Sequence, residues 1–306
     1  MLIRHASALA QRLGVSSLLI GLTLVAFGTS APELAASLVA NQQGFPTLAM
    51  GNVLGSNTAN IALVLALAAL IAPVMAEKAL LRRDVPIMLL TSLLLLPLTW
   101  DYNGDGWGEI GRLEGAAMLL LLFGYVALLW RSDRETLLED SHEAPLEEQA
   151  QPGLGRMAFY ALLGIGLLVL GANWLVQGAS SLARTLGISE RVIGVTMVAI
   201  GTSLPELAAA IAAARKRLGG IVVGNVIGSN IFNVLSILGV TSLVKPLAVV
   251  PEVANVDFWV MLAVGTLAGL LLLWRGRLAR LEGAMLLTVY AVYMAYIAVL
   301  QWQQLA

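Results

Sequence analysis

The fold is decided by a stretch that occurs twice, as GLTLVAFGTSAPELAAS at residues 21–37 and as GVTMVAIGTSLPELAAA at residues 194–210. The same offset of 173 residues aligns GNVLGSNTAN at residues 51–60 with GNVIGSNIFN at residues 224–233. Over the 40 ungapped positions that these segments span, 20 residues are identical, far more than shared hydrophobicity would produce. The chain is therefore an internal duplication that covers most of its length.

The composition is that of a membrane protein. Of 306 residues, 58% are apolar and 12% are charged, whereas soluble domains carry about 25% charged residues. A soluble enzyme is therefore excluded, and the lipid bilayer is the predicted environment. The net charge of −1 provides no basic field for nucleic acid. The absence of cysteine excludes disulfides and thiolate metal sites.

Hydropathy predicts five membrane spans in each copy of the repeat, with the first of them short. In the first copy the spans lie near residues 17–41, 45–72, 85–100 and 113–130, preceded by residues 1–13. In the second copy they lie near residues 157–184, 190–214, 218–244, 256–274 and 281–302. An odd number of spans per copy turns the second copy over relative to the first, an architecture common among secondary transporters.

The predicted fold is all-α: a polytopic membrane protein of ten spans arranged as two inverted five-helix repeats. Residues 1–130 form the first repeat, residues 131–156 an acidic linker, and residues 157–306 the second repeat. With the linker in the cytoplasm, loops on that side hold 13 basic residues against 4 on the other, as the positive-inside rule requires.

The first span is shorter than its counterpart. Phe159, in the sixth span, would have its equivalent at position −14. We interpret this as a start codon assigned too late or an N-terminal truncation, because a natural half-helix would expose its end to lipid.

Two carboxylates lie deep in the predicted spans, Glu33 and Glu206, at equivalent positions of GTSAPE and GTSLPE. A charge at the bilayer centre costs about 2.5–3.5 kcal/mol on insertion scales, so such residues typically mark ion or proton pathways. Hydroxyl and amide side chains accompany them in the two motifs: Thr29, Ser30, Ser56, Asn57, Asn60, Thr202, Ser203, Ser229, Asn230 and Asn233. These oxygen ligands suit Ca²⁺ and alkali cations and not zinc or copper.

The same residues also have a purely structural interpretation. Ser30 with Glu33, and Ser203 with Glu206, form capping boxes with a proline in the first turn, so that each motif restarts a helix broken at glycine. The glycines of GNxxGSN are also typical of close helix packing. However, a helix break inside a span requires a cavity or surrounding protein, and paired breaks in inverted halves indicate a midplane site. We expect both roles.

Paired GTSxPE and GNxxGSN segments in an inverted repeat resemble the α-repeats of the cation/Ca²⁺ exchanger superfamily, specifically its prokaryotic sodium/calcium exchanger branch. The resemblance implies a site between the broken second, third, seventh and eighth helices, and alternating access by sliding of the first and sixth. By motif position, with backbone carbonyls for the two alanines, the implied ion ligands are Glu33, Glu206, Thr29, Thr202, Ser30, Ser203, Ser56, Ser229, Asn60, Asn233, Ala26 and Ala199.

The function expected from this resemblance is Na⁺/Ca²⁺ antiport across a prokaryotic cell membrane. Ca²⁺ and Na⁺ are then transported substrates, with no cofactor, no enzymatic activity and no obligate protein partner. Some relatives carry Asp at the position of Asn233, where an aspartate is linked to potassium use, so Asn in both halves favours potassium independence. Ca²⁺/H⁺ exchange is the nearest alternative, since a membrane glutamate can carry protons. A membrane enzyme and a non-transporting sensor are more distant ones.

Three weaker signals have mainly structural interpretations. Residues 101–106, DYNGDG, begin like a Ca²⁺ loop, but Arg112 stands where a bidentate Glu is needed, so an ordinary turn is predicted. Seven acids between residues 133 and 148 predict a solvated connector. Four carboxylates are predicted to open helices, where they suit the helix dipole: Asp84, Glu114, Asp257 and Glu282.

Overall fold

The computed structural model describes residues 26–76, 78–101, 106–139, 170–171, 174–175, 177–179, 181–182, 185–251 and 253–305. The predictions for the first span, for most of the sixth span and for the linker beyond residue 139 fall outside these ranges. Regular structure within them is mostly helical, as predicted.

The described residues of the first repeat form six α-helices. They are α1 (Ala26–Thr29), α2 (Ala31–Gln42), α3 (Pro46–Ala59), α4 (Ala66–Ile71), α5 (Lys78–Thr99) and α6 (Arg112–Glu139). A π-helical segment, Asn60–Leu65, makes α3 and α4 one continuous rod.

The second repeat follows the same order. From residue 185 onward its described helices are α7 (Glu190–Ile193), α8 (Ala199–Thr202), α9 (Leu204–Arg215), α10 (Gly219–Phe232), α11 (Gly239–Val244), α12 (Phe258–Arg275) and α13 (Arg280–Leu305). Gly194–Val198, Asn233–Leu238 and Val253–Asp257 are π-helical. The π segment that begins at Asn233 is the exact repeat equivalent of the one that begins at Asn60, and such segments frequently occur at functional sites.

Five described helical rods are long and apolar enough to cross a membrane. The helices Glu190–Thr202 and Leu204–Arg215 meet at a bend of 45° and are together long and apolar enough to form a sixth. The prediction of an all-α polytopic fold is therefore confirmed, and so is the break at the second GTSxPE motif. The count of ten spans stays a prediction, because the structure describes only part of the chain.

Short strands reveal how the two repeats are related. The strands are β1 (Val74–Met75), β2 (Trp100–Asp101), β3 (Gly106–Trp107), β4 (Glu109–Ile110), β5 (Leu247–Ala248) and β6 (Arg277–Leu278). β1 pairs with β6 and β4 pairs with β5, both antiparallel. By repeat position β1 corresponds to β5, and β4 to β6, so each repeat contributes equivalent strands to opposite ends of the molecule. This exchange is the signature of two inverted copies.

β2 and β3 flank the DYNGDG segment. Trp100 pairs with Trp107 and Asp101 with Gly106, which agrees with the predicted turn, although residues 102–105 lie outside the described ranges.

The centre of the fold is formed by α3 and α10. Every residue from Leu48 to Ala59 is buried, and so is every residue from Val222 to Phe232. These helices therefore have no lipid-facing side over most of their length, and their polar residues face protein.

Buried acid clusters fix the outer helices. The Asp257 carboxylate accepts two hydrogen bonds from Arg191, both at 2.8 Å, and one from the Tyr293 hydroxyl at 2.7 Å. At the equivalent position Asp84 pairs with Arg83 at 3.0 Å and accepts from the Tyr125 hydroxyl at 3.1 Å. Asp84 thus lies within α5, and the prediction that it opens a helix is wrong, because α5 begins earlier, with charged residues that hydropathy places in a loop.

We expect Asp257→Ala to lower the free energy of unfolding by about 3–5 kcal/mol, because it leaves the Arg191 guanidinium buried without its counterion. Thermal unfolding in detergent measures this loss. The double variant Asp257→Leu with Arg191→Met should recover most of it, and Glu109→Ala, at an exposed position, should have little effect. Equal losses in the single and double variants would contradict a role for the ion pair.

Candidate functional site

Reciprocal hydrogen bonds join the GTSAPE segment of the first repeat to the GTSLPE segment of the second. The Ser30 hydroxyl donates to Glu206 Oε1 at 3.1 Å, and the Ser203 hydroxyl donates to Glu33 Oε1 at 3.0 Å. Both glutamate side chains are fully buried. The repeat therefore brings residues about 170 positions apart into a single pseudo-symmetric cluster.

The capping-box prediction is wrong for the serine side chains. Neither Ser30 nor Ser203 makes a side-chain cap hydrogen bond to its own helix, because each hydroxyl is directed to the opposite carboxylate. The predicted helix restart is present, since a proline occupies the first turn of α2 and of α9.

Threonines and alanines line the broken helices beside the carboxylates. The Thr29 hydroxyl donates to the Ala26 backbone oxygen at 3.3 Å, and the Thr202 hydroxyl lies 3.3 Å from the equivalent Ala199 oxygen. The backbone oxygen of Ala26 accepts from Ser30 N at 2.9 Å, and that of Ala199 accepts from Ser203 N at 3.1 Å. These two carbonyls thus belong to the last turn before each break.

Asparagines join the central helices. Asn57 and Asn230 are repeat equivalents, and each donates its side-chain amide to the other's backbone oxygen at 3.3 Å. Asn60 donates to Asn230 Oδ1 at 3.1 Å, and the Ser56 hydroxyl donates to the Ala199 backbone oxygen at 3.5 Å. The GNxxGSN segments therefore meet each other and also contact the GTSxPE breaks.

Several polar atoms of this cluster have no hydrogen-bond partner among the described residues. They are Glu33 Oε2, Glu206 Oε2, Asn57 Oδ1, Asn60 Oδ1, Ser229 Oγ and both amide atoms of Asn225 and Asn233. A buried polar atom without a partner retains its desolvation penalty. Most of these atoms are oxygens, the atoms that hard cations bind.

All twelve predicted ligand positions are buried, and the structure brings both motifs of both repeats together. Their role as ion ligands stays a prediction. Within the described ranges there is no group of three or more His, Cys, Asp or Glu residues that would suit a transition metal, so any cation here would depend on hydroxyl, amide and paired carboxylate oxygens.

Asn52 is a site residue whose role the sequence leaves open. Its amide nitrogen donates to the Glu33 backbone oxygen at 3.2 Å and to the Ser37 hydroxyl at 2.9 Å. Its Oδ1 accepts from Thr202 at 3.2 Å. Asn52 therefore connects the two breaks, and the first Asn of GNxxGSN is the only sequence signal for this.

A small cavity reaches the cluster beside Ser30. It is lined by residues of α1 and α2, by the end of α10 and by the π-helical segment after α10, including Ala31, Leu34 and Ser236. Phe27 and Phe232 also line it and pack edge to face, with ring centroids 6.0 Å apart. The cavity therefore borders the cluster at Ser30.

Comparisons with known proteins cover nearly the whole chain. The sequence profile of a family described as "Sodium/calcium exchanger protein" matches residues 1–131 and 157–299. The sodium/calcium exchanger MaX1 of Methanosarcina acetivorans is 33% identical over an alignment 321 residues long, gaps included, that covers 95% of this chain and 92% of the relative. The inner membrane protein YrbG of Escherichia coli is 36% identical over 278 residues, which is 90% of this chain and 83% of the relative.

A solved structure has the same fold. The sodium-calcium exchanger NCX_Mj, soaked with 2.5 mM Na⁺ and 10 mM Sr²⁺, superimposes with a TM-score of 0.70 at 31% identity, covering 96% of this chain and 92% of that one. The profile match omits the stretch between residues 131 and 157, so the shared part is the duplication itself.

Proposed function

Because the chain belongs to the sodium/calcium exchanger family, as its motifs predicted, we propose that it is an antiporter that exchanges Na⁺ for Ca²⁺ through the Glu33–Glu206 cluster. The description of this family is that of an exchanger, which is a transporter. The observation that carries the proposal is the reciprocal pair of fully buried carboxylates, each held by a serine of the opposite repeat.

Charge balance gives this cluster a mechanism. Two carboxylates carry −2, which one Ca²⁺ or two Na⁺ neutralise. Competition for the same oxygens couples the two ion flows, since a ligand shifts an equilibrium only through differential affinity. A neutral, occupied cluster can be enclosed in the low-dielectric centre of the membrane, whereas an empty one is opposed by its desolvation penalty.

The proposed ligands divide between the two motifs. Glu33 and Glu206 supply charge, and the hydroxyls, amides and carbonyls complete the coordination: Thr29, Thr202, Ser30, Ser203, Ser56, Ser229, Asn60, Asn233, Ala26 and Ala199. We place the protein in the prokaryotic cell membrane with residues 131–156 in the cytoplasm, as the basic residues of the loops predict.

Proton coupling is the second candidate, and one observation favours it. Glu33 Oε2 and Glu206 Oε2 are buried without a hydrogen-bond partner, so each could hold a proton in place of a cation. Protons would then compete with Ca²⁺ at the same two carboxylates.

Uptake of ⁴⁵Ca²⁺ into proteoliposomes distinguishes the candidates. We expect Na⁺-loaded vesicles in Na⁺-free medium to accumulate Ca²⁺, and vesicles with equal Na⁺ on both sides to accumulate little. A pH gradient without Na⁺ should have no effect. Uptake that ignores Na⁺ and follows the pH gradient would replace Na⁺ by H⁺ as the coupling ion. Absence of uptake under both gradients would contradict antiport.

A further inference from the structure

Asn52 and Asn225 are equivalent residues of the two repeats, but their side-chain amides differ in hydrogen bonding. The amide of Asn52 is paired at both atoms, with the Glu33 backbone oxygen, the Ser37 hydroxyl and the Thr202 hydroxyl. Asn225 is only 1% exposed, yet neither of its amide atoms has a hydrogen-bond partner among the described residues. One cause is visible in the sequence, because Ala210 stands where the first repeat has Ser37.

The difference extends along one face of α10. Asn225, Ser229 and Asn233 are spaced four residues apart, so their side chains follow each other at successive turns over about 12 Å. All three are buried and contain side-chain atoms without a hydrogen-bond partner. In the first repeat, the equivalent residues Asn52, Ser56 and Asn60 each make at least one hydrogen bond. Among the described residues, this face of α3 thus has one unpaired side-chain atom, Asn60 Oδ1, whereas all three residues on α10 have unpaired atoms.

This row leads from the central cluster toward one end of the molecule. α10 begins at Gly219, where an added Cβ would touch the backbone of Val74 and Met75 in β1. Asn225 therefore lies between Ser229 and the end of the molecule that carries β1 and β6. α6 begins beside β4 at the opposite end and runs away from it, toward the β1–β6 end.

The chemistry of the amide indicates what Asn225 binds. A bare cation would satisfy Oδ1 and would be repelled by the amide N–H groups. A water molecule both donates and accepts, so it satisfies the two atoms together. A cation that still carries hydration water could place one of these waters at Asn225. Its vacant coordination positions would then face Ser229 and Asn233.

We propose that Asn225 is a hydration site for the transported cation on the β1–β6 side, where the ion exchanges shell water for the oxygens of Ser229, Asn233 and Glu206. The proposal rests on the proposed antiport. On this proposal an ion that enters from the β1–β6 side meets a free hydration site, whereas an ion that enters from the opposite side does not, because both amide atoms of Asn52 are already hydrogen-bonded.

Sided transport measurements with Asn225→Ala and its matched control Asn52→Ala test this. In right-side-out and everted membrane vesicles, the half-saturating Ca²⁺ concentration is measured with Ca²⁺ offered to each side. We expect Asn225→Ala to raise it about 3- to 10-fold, the equivalent of one neutral hydrogen bond, on the β1–β6 side only. Its melting temperature should equal that of the unsubstituted protein, since no protein hydrogen bond is removed, whereas Asn52→Ala should melt earlier.

Each other outcome overturns the inference. Unchanged half-saturation on the β1–β6 side would mean that the ion does not use Asn225, and equal increases on both sides would make Asn225 part of the central cluster. A lower melting temperature than that of Asn52→Ala would show a structural role. The unsubstituted protein, tested in the same vesicles, reports separately on the antiport: loss of Na⁺ dependence there would contradict the proposed function and not only this site.

Discussion

Glu33→Gln and Glu206→Gln are each expected to reduce Na⁺-driven Ca²⁺ uptake by about 100-fold or more. Glutamine keeps the size of the side chain and an oxygen that can accept from Ser203 or Ser30, so the packing should survive. With one carboxylate left, a bound Ca²⁺ has an excess positive charge in a fully buried site. An uncompensated buried charge costs about 3–5 kcal/mol, and each 1.4 kcal/mol is about tenfold in affinity.

The measurement is initial ⁴⁵Ca²⁺ uptake in proteoliposomes, with Glu109→Gln as the control because Glu109 is exposed in β4. Ca²⁺ should raise the melting temperature of the unsubstituted protein and of the control, and not that of the two variants, because only a ligand that binds the folded state stabilises it. A glutamine variant that keeps more than a tenth of the uptake would exclude its carboxylate from the site.

Gly55→Ala is expected to have the second largest effect, through packing alone. A Cβ on Gly55 would lie 2.7 Å from the Val195 backbone oxygen and 2.8 Å from Ala199 Cβ, distances that require the backbones to separate. Overpacking of this kind costs about 1–3 kcal/mol. Because Gly55 adjoins Ser56, and Ala199 carries a proposed ligand carbonyl, the separation would widen the site and lower Ca²⁺ uptake about tenfold or more.

Gly124→Ala is the matched control, since a Cβ there meets nothing within 4 Å. It should melt and transport as the unsubstituted protein does. If Gly55→Ala retained both the melting temperature and the uptake of this control, the close approach of α3 to Val195 and Ala199 would not be required for function.

The repeat explains why so much of the site could be predicted. Residues that align at an offset of 173 occupy equivalent places in two copies of one fold. Because paired helix breaks in inverted copies indicate one midplane site, the sequence predicts that Glu33 and Glu206 lie close together. Predicted spans such as 45–72 and 218–244 agree with the rods Pro46–Ile71 and Gly219–Val244. Continuous hydrophobicity fixes these bounds.

The hydrogen-bond partner of each polar side chain could not be predicted in the same way. The hydroxyl of Ser30 can cap its own helix or donate to Glu206, and the outcome depends on a distance between helices that no local pattern contains. Asn52 and Asn225 have the same neighbours in the motif, yet differ in pairing, because Ser37 and Ala210 lie outside GNxxGSN. Tertiary structure decides which polar groups form hydrogen bonds with each other, whereas the duplication can be recognised from the sequence alone.

The exchange of strands between repeats has a consequence for biosynthesis. β1 pairs with β6, and α3 packs against the π-helical segment Gly194–Val198. The first half is therefore synthesised before the segments that it packs against. At translation rates of about 5–20 residues per second, the interval between equivalent positions lasts roughly 10–35 s. During that interval Glu33 and Asn57 lack their partners Ser203 and Asn230. The insertion machinery must tolerate or shield these polar side chains until the second half has been synthesised.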